Sequence, residues 1–328
     1  MAFENRREIL FVYSVKDANP NGDPLNSNHP RYDDDSGRIL VSDVRVKRTI
    51  RDQWIREGKD VFVDGETKTL EKRVNELKAK FRVDSGKEAL ARCVDTRLFG
   101  VTFALGKDDK DDKEGKSKSK GEAFAWTGPV QFKWGRSLHR AEVMMIQGTA
   151  AFATKKAKKA KDEQDEQDEK KQRSFRNEYI VPFALIADYA IANQYASVTT
   201  GATDEDLDFL FDSIWRGTAN LITRSKVGHQ PRLLMEINYR EKFDGIIGAL
   251  DEKISLRGKN GEELSSDQEQ CLRSCDELSI DISKLLKSID RVDPEIKAVR
   301  LVHDSDLNIV QLNLLEQKLG ERLKKEER

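Results

Sequence analysis

An apolar run at residues 9–15, Ile-Leu-Phe-Val-Tyr-Ser-Val, constrains this chain more than any other segment. It is β-branched and aromatic, and it reads as a buried strand. It stops in Asp-Ala-Asn-Pro-Asn-Gly-Asp-Pro at 17–24, a dense cluster of turn formers. A long polar loop follows, carrying Asn26, His29, Arg31 and three consecutive aspartates at 33–35, as far as Gly37. Residues 39–41 form a short extended piece. Ser42 is then placed to cap a helix running to about Glu57, with Asp43 in the positive first turn and Gly58 as the stop.

Further along, helical spacing covers 68–80, and a strand-like segment covers 96–104. Residues 123–133 and 141–154 look like strands, joined by the basic turn Trp134, Gly135 and Arg136. Residues 181–195 and 204–223 have helical spacing, the second capped by Thr203, and 232–239 returns as a strand. Beyond 242, charge alternates with Leu and Ile at three-to-four spacing, so 243–328 is expected to be mainly helical and acidic and to pack on the first part. The order strand, helix, strand, strand, helix, strand predicts an α+β fold, a ferredoxin-like (RRM-like) palm over 1–242 with large finger and thumb insertions. Two tracts, near 106–121 (Lys, Asp, Ser and Gly) and 155–173 (a lysine block, then Asp-Glu-Gln repeats), are expected to be variable excursions. The palm topology hosts many functions and proves none, though it is a common platform for single-stranded RNA.

The formal net charge of −1 looks wrong for a nucleic-acid binder, but its distribution matters more than its sum. Residues 121–159 carry seven basic and two acidic side chains, and 214–242 carry six and two. Residues 243–328 carry 14 basic and 19 acidic, so an acidic C-terminal region can mask a basic face. No apolar run approaches the roughly 18 residues needed to span a membrane, and no secretory signal opens the sequence. Cys93, Cys271 and Cys275 form no regular framework and are expected to be free thiols. A cytoplasmic, membrane-free setting is expected.

Three segments carry the candidate chemistry. On the helix after Ser42, Lys47, Arg48 and Arg51 fall within an arc of roughly 100°, suited to gripping successive phosphates or simply to facing solvent with partners such as Asp52. Residues 127–139 interleave aromatics with Gln131, Lys133, Arg136 and His139, either a single-strand surface or a strand and turn with aromatic core. Residues 221–232 end a helix in a basic loop that can wrap phosphate or offset the helix dipole. His29 and the nearby aspartates have metal-ligand types without metal-ligand spacing, and no catalytic motif assembles a nucleophile, base and oxyanion site. No catalytic residue, metal or cofactor is expected.

Several co-linear motifs resemble the backbone subunits of Cascade-type CRISPR complexes, subtype I-B, within the repeat-associated RAMP superfamily. They are Lys-Asp-Ala-Asn-Pro-Asn-Gly-Asp-Pro at 16–24, Val-Ser-Asp-Val-Arg-Val-Lys-Arg-Thr-Ile-Arg at 41–51 and Arg-Leu-Phe-Gly at 97–100. Thr-Gly-Pro-Val-Gln-Phe at 127–132, Tyr-Ile-Val-Pro-Phe at 179–183 and Asn-Leu-Ile-Thr-Arg-Ser-Lys at 220–226 follow in the same order. The resemblance implies a subunit that stacks with neighbouring copies of itself along the spacer of a CRISPR RNA and presents it to a target DNA strand in the heteroduplex. It implies further Cascade partners: a large subunit, a cap on the guide 5′ end and a guide-processing endonuclease. Carried onto this chain, it makes Lys47, Arg48 and Arg51 phosphate contacts, puts Arg224, Lys226 and Arg232 on the same path, and places Asn19 and Asn21 close to the RNA. Two alternatives stand beside it. One is a type III-like subunit cutting target RNA with Asp23 or Asp33; the other is a general single-strand binder acting alone.

Overall fold

The computed structural model describes residues 1–66, 68–104, 123–149 and 175–328; both variable tracts, near 106–121 and 155–173, therefore fall outside the described residues. In chain order, β1 (Arg7–Ala18) leads into the short strands β2 (Gly22–Asp23), β3 (His29–Pro30), β4 (Tyr32–Asp33) and β5 (Arg38–Val41). Next come α1 (Asp43–Arg56), α2 (Leu70–Phe81), α3 (Gly86–Ala91), α4 (Val94–Phe99) and β6 (Gly100–Ala104). After them lie β7 (Ala123–Thr127), β8 (Val130–Phe132), β9 (Gly135–Ser137), β10 (Met144–Thr149) and β11 (Phe175–Ala192). α5 (Gln194–Thr200), α6 (Asp204–Ala219) and β12 (His229–Tyr239) complete the first part. The remainder holds β13 (Ser255–Gly258), α7 (Ser266–Cys271), β14 (Leu278–Asp281), α8 (Ser283–Val292), β15 (Ile296–His303), β16 (Asn308–Val310), α9 (Leu312–Leu319) and β17 (Leu323–Glu327).

The main sheet runs β17-β15-β12-β1-β11-β9-β5-β4, with β8 and β10 also paired to β11. β1 is flanked antiparallel on both sides, by β11 and by β12. Successive side chains of a strand point to opposite faces, and β1 uses both. Ile9, Phe11, Tyr13 and Val15 share a core with Ile50 and Trp54 of α1 and with Leu207, Leu210 and Ile214 of α6. Leu10 and Val12 join a second core with Leu285, Leu286 and Ile289 of α8 and with Leu301 of β15. The sheet is thus covered on both faces. A smaller cluster under α2 and α3 holds Val74, Leu77, Leu90 and Phe103.

Glu8 ties the second face together. Its carboxylate, fully buried, accepts hydrogen bonds from the Tyr189 and Tyr239 hydroxyls and from the amides of Ile247 and Gly248, the last two at 2.8 Å. The α1–α6 crossing depends on Gly217, where a Cβ would lie 3.0 Å from the Thr49 carbonyl oxygen.

Several expectations need correction. Residues 181–192, expected as helix, are the C-terminal two-thirds of strand β11. They are buried from both sides, so the apolar positions form a block with no period of two. Residues 96–99 belong to α4, and the strand begins only at Gly100. The region after 242 carries five strands as well as helices, so it is not mainly helical. Ser42 stands at the N-cap of α1 with extended backbone, yet its side chain makes no capping hydrogen bond. Thr203 does cap α6, in a reciprocal box with Asp206.

Candidate nucleic-acid interface

At the C-terminal end of β1, two loops are sewn together. The Lys16 amide donates to the Gly228 carbonyl at 2.9 Å, and the Asn19 amide donates to the Ser225 carbonyl at 3.0 Å. Gly228 is required there, because a Cβ would fall 1.8 Å from the Lys16 carbonyl oxygen. The Lys226 ammonium donates to the carbonyls of Asn19 and Pro20, the latter at 3.0 Å. Asn19 and Asn21, expected near the RNA, are both buried in this seam. Asn19 Nδ2 donates to the Asn28 carbonyl at 2.7 Å, while Asn19 Oδ1 and Asn21 Nδ2 have no hydrogen-bond partner among the described residues.

Beneath the seam lies a cavity of about 20 Å³ between β1, α1 and α6, room for roughly one water. Arg45, Tyr13, Thr49, Asp188, Leu221 and His229 are among its lining residues. The Arg45 guanidinium donates to Thr49 Oγ1 at 2.9 Å. Neither Arg45 nor Lys226 is paired with a carboxylate among the described residues, and burial depresses both; Lys226, also repelled by Arg45, falls to about 7. Burial first, and then the Lys226 charge, push His229 down to about 3. Its neutral ring therefore donates from Nδ1 to the Lys226 carbonyl at 2.7 Å and stacks on Tyr13. Asp188 is buried with neither carboxyl oxygen hydrogen-bonded among the described residues, and burial lifts it to about 8. It sits against Gly135, where a Cβ would meet its Oδ1 at 1.9 Å.

Arg45 is absent from the residues the sequence singles out, and the α1 cations it does single out point elsewhere. Lys47 pairs with Asp43 at 3.0 Å and lies over the Phe99 ring. Arg51 pairs through Nε with Asp95 at 2.8 Å and also covers Phe99. Arg48 pairs with Asp52 at 2.8 Å and remains 38% exposed. One helical arc thus splits into an inward-turned pair and one surface cation, with Arg45 alone aimed into the cavity.

The segment 127–139 is likewise dispersed. Gln131 donates to the Gly128 carbonyl at 2.8 Å. Lys133 reaches Asp251 at 2.9 Å and Glu252 at 2.6 Å, bridging to the C-terminal region. Arg136 meets Asp33 at 3.0 Å. His139 is fully buried; its Nε2 accepts from the Leu185 amide at 3.1 Å, so Nδ1 carries the proton toward the Arg140 carbonyl at 2.7 Å. Burial lowers its pKa, and it presents no free nitrogen to a ligand. Of the third group, Arg224 is exposed and pairs with Glu178 at 2.9 Å, whereas Arg232 is held by Ser14 at 2.9 Å and by Asp304.

The two aspartates of the cutting alternative are occupied separately. Asp23 accepts from the Leu25 amide at 3.2 Å, and Asp33 accepts from Ser36 at 2.7 Å besides Arg136. Those hydrogen bonds, Ser36 first and then Arg136, hold the Asp33 carboxyl below its usual range. Among the described residues, no group of three or more His, Cys, Asp or Glu is placed to hold a metal, and no helix is long and apolar enough to cross a membrane.

The fold and the site define an α+β protein whose central sheet is covered on both faces, with a small cavity lined by Arg45 near the first strand. The chain belongs to the Cas7 family: the model of the family described as "CRISPR-associated protein Cas7" matches residues 5–283. It is 28% identical over 320 residues to the CRISPR-associated protein Cas7 of Haloferax volcanii, covering 93% of this chain and 88% of that one. Two solved structures are similar. One, titled "CRISPR RNA-guided surveillance complex, pre-nicking", has a TM-score of 0.47 and 13% identity, covering 98% of this chain and 96% of that one. The other, titled "CRISPR RNA-guided surveillance complex", has a TM-score of 0.45 and 16% identity, covering 91% and 88%.

Proposed function

We propose that this chain is a non-catalytic, guide-RNA-binding backbone subunit of a type I, subtype I-B, CRISPR surveillance complex. Copies of it line the spacer of a CRISPR RNA and present the bases to a target DNA strand, alongside the other Cascade subunits. Membership of the Cas7 family supports this reading. The observation that carries it lies near the end of β1, where Arg45, held on Thr49, and Lys226, held on the Asn19 and Pro20 carbonyls, each stand without a carboxylate partner among the described residues. Phosphate is the ligand such cations lack, and phosphate contacts hold a nucleic acid without reading its sequence.

The strand order β12-β1-β11-β9, with α1 and α6 packed on one face, supports an RRM-like palm over 1–242. The other face is covered by residues from 243–328. The RNA accordingly runs past the strand ends, by Arg45, Lys226 and the exposed Arg224 and Arg48, and not across the sheet. Guide specificity then comes from pairing alone.

The test is to purify the chain with its associated RNA and sequence that RNA. Repeat-flanked guides should dominate, and Arg45→Gln should reduce the RNA recovered across all guide sequences alike. Recovery of unselected cellular RNA would favour a general single-strand binder. Regularly spaced cleavage of complementary RNA in Mg²⁺, lost on Asp23→Ala or Asp33→Ala, would establish the cutting alternative.

A further inference from the structure

A groove of about 310 Å³ runs between the second half of α1 and residues 217–223, which end α6 and begin the basic loop. Asp52, Gln53 and Arg56 line one wall and Asn220 the other, and the volume lies near the lower end of the range for ligand sites. The hydrogen bonds in these walls fix which atoms are left for a ligand. Arg56 has only donors, so its bond of 2.9 Å to Gln53 must end on Gln53 Oε1. Gln53 Nε2 is spent on Glu57 at 2.6 Å. The same Oε1 takes a second bond, from Asn220 at 2.9 Å, and only the Nδ2 end of Asn220 can supply it. Asn220 Oδ1 is therefore left as an open acceptor. Asp52 meets Arg48 through Oδ1 alone, at 2.8 Å, which leaves Oδ2 open as well. Neither oxygen has a donor among the described residues.

Arg48, Asp52 and Arg56 follow one another at four-residue intervals on α1, a stripe of cation, carboxylate and cation with about 6 Å of rise per step. Two such cations suit the phosphates of a nucleic-acid backbone. A carboxylate between them repels phosphate, unless the backbone also brings a hydrogen to give. The sugar–phosphate backbone of DNA has no donor. That of RNA has one per nucleotide, the 2′-hydroxyl.

We propose that this groove selects RNA over DNA through the sugar: a guide 2′-hydroxyl donates to Asp52, and Arg48 and Arg56 take the phosphates on either side. The proposal rests on the RNA-binding reading above and adds a specificity to it. Arg48 has donors enough to hold Asp52 and a phosphate together. Asp52 then acts twice, attracting a ribose and repelling a backbone that has no hydrogen to offer, the two halves of any specificity. Asn220 Oδ1 is a second acceptor in the facing wall. No base edge is needed, so the choice is made without regard to sequence, which pairing alone reads.

Affinity of the full chain is measured by fluorescence anisotropy at constant salt, with labelled single strands of two unrelated sequences. Each sequence is made as RNA, as DNA and as 2′-fluoro RNA, which keeps the RNA sugar pucker but has no hydrogen to donate. From the strength of a hydrogen bond to a charged group, the wild type should prefer RNA to both other strands by about ten- to a hundredfold, in either sequence. Asp52→Ala should erase most of that preference, chiefly by tightening DNA and 2′-fluoro RNA, since the repelling charge is gone and Arg48 is freed. Asp52→Asn, which keeps one acceptor oxygen, should hold an intermediate preference. The Asp52 side chain is 37% exposed, so neither change opens the core. Wild type that binds RNA and 2′-fluoro RNA alike overturns the proposal, and so does full discrimination in Asp52→Ala; both leave the RNA reading intact. A preference that follows the sequence in place of the sugar also overturns it, because a base edge then fills the groove. Absence of binding to every strand overturns both readings.

Discussion

Arg51 offers a direct test of whether a cation on α1 is there to hold RNA or to hold the protein. Its side chain is 12% exposed and its Nε stands 2.8 Å from Asp95, whose side chain is 1% exposed. Asp95 also accepts from the amides of Phe62 at 2.7 Å and Val63 at 3.1 Å, so the pair pins the loop after α1 beneath the α2–α3 layer. Removing one partner of a fully buried ion pair costs about 3–5 kcal/mol. Two amide donors remain on Asp95 here, so about 2–4 kcal/mol is the expected loss for Arg51→Met. In urea this should lower the unfolding midpoint by roughly 1 M, with the slope unchanged. Adding Asp95→Asn removes the stranded charge and should recover a substantial part of the loss. The assay is urea unfolding followed by tryptophan fluorescence, with RNA absent. An unchanged midpoint in Arg51→Met, together with a shallower salt dependence of RNA binding, would refute the clamp and return Arg51 to the phosphate path.

Two further outcomes follow from the packing. Glu8→Gln keeps the shape but replaces an acceptor-only carboxylate facing four donors, so a loss of about 2–3 kcal/mol is expected, with faster hydrogen exchange at the Ile247 and Gly248 amides. Exchange at those two amides unchanged from wild type would show that the carboxylate does not hold the 240–250 segment. Gly128→Ala places a Cβ 2.1 Å from the Phe99 carbonyl carbon, where only backbone could yield. The variant should lose near-ultraviolet dichroism from Phe99 and Phe132, which meet edge to face; a wild-type spectrum and melting temperature would show that the chain can separate there without cost.

Much of this was legible from residues alone. The strand at 9–15, the helix after Ser42 and the box-capped α6 rest on local signals, and local signals survive folding. β11 failed for a physical reason: a strand buried by helices on one side and by the C-terminal region on the other loses the alternation that marks a strand. The later strands β13–β17 are short, and their Leu and Ile spacing mimics a helix. At the site, an arc on a helical wheel brought Lys47, Arg48 and Arg51 together, but side chains choose partners that a wheel does not contain. Asp95 and Phe99 turn Arg51 and Lys47 inward, and Asp43 holds Lys47. Arg45 becomes prominent only when the 221–229 loop is folded beside it, and no spacing in the sequence announces that meeting.

The double cover of the sheet has a consequence for how the protein is made. Leu10, Val12, Leu185, Met235 and Ile237 lose their apolar shelter if residues from β14 to α9 are not yet in place. β12 likewise has an unpaired edge until β15 joins it. During synthesis the nascent chain therefore displays a finished helical side and a bare greasy side at once, until some sixty residues beyond β12 have emerged to close its edge and some eighty to complete the cover, at the usual 5–20 residues per second a window of several seconds or more. Chaperone capture and misassembly compete for the chain in that window, and its length is set by the distance in sequence between β12 and the strand that closes its edge.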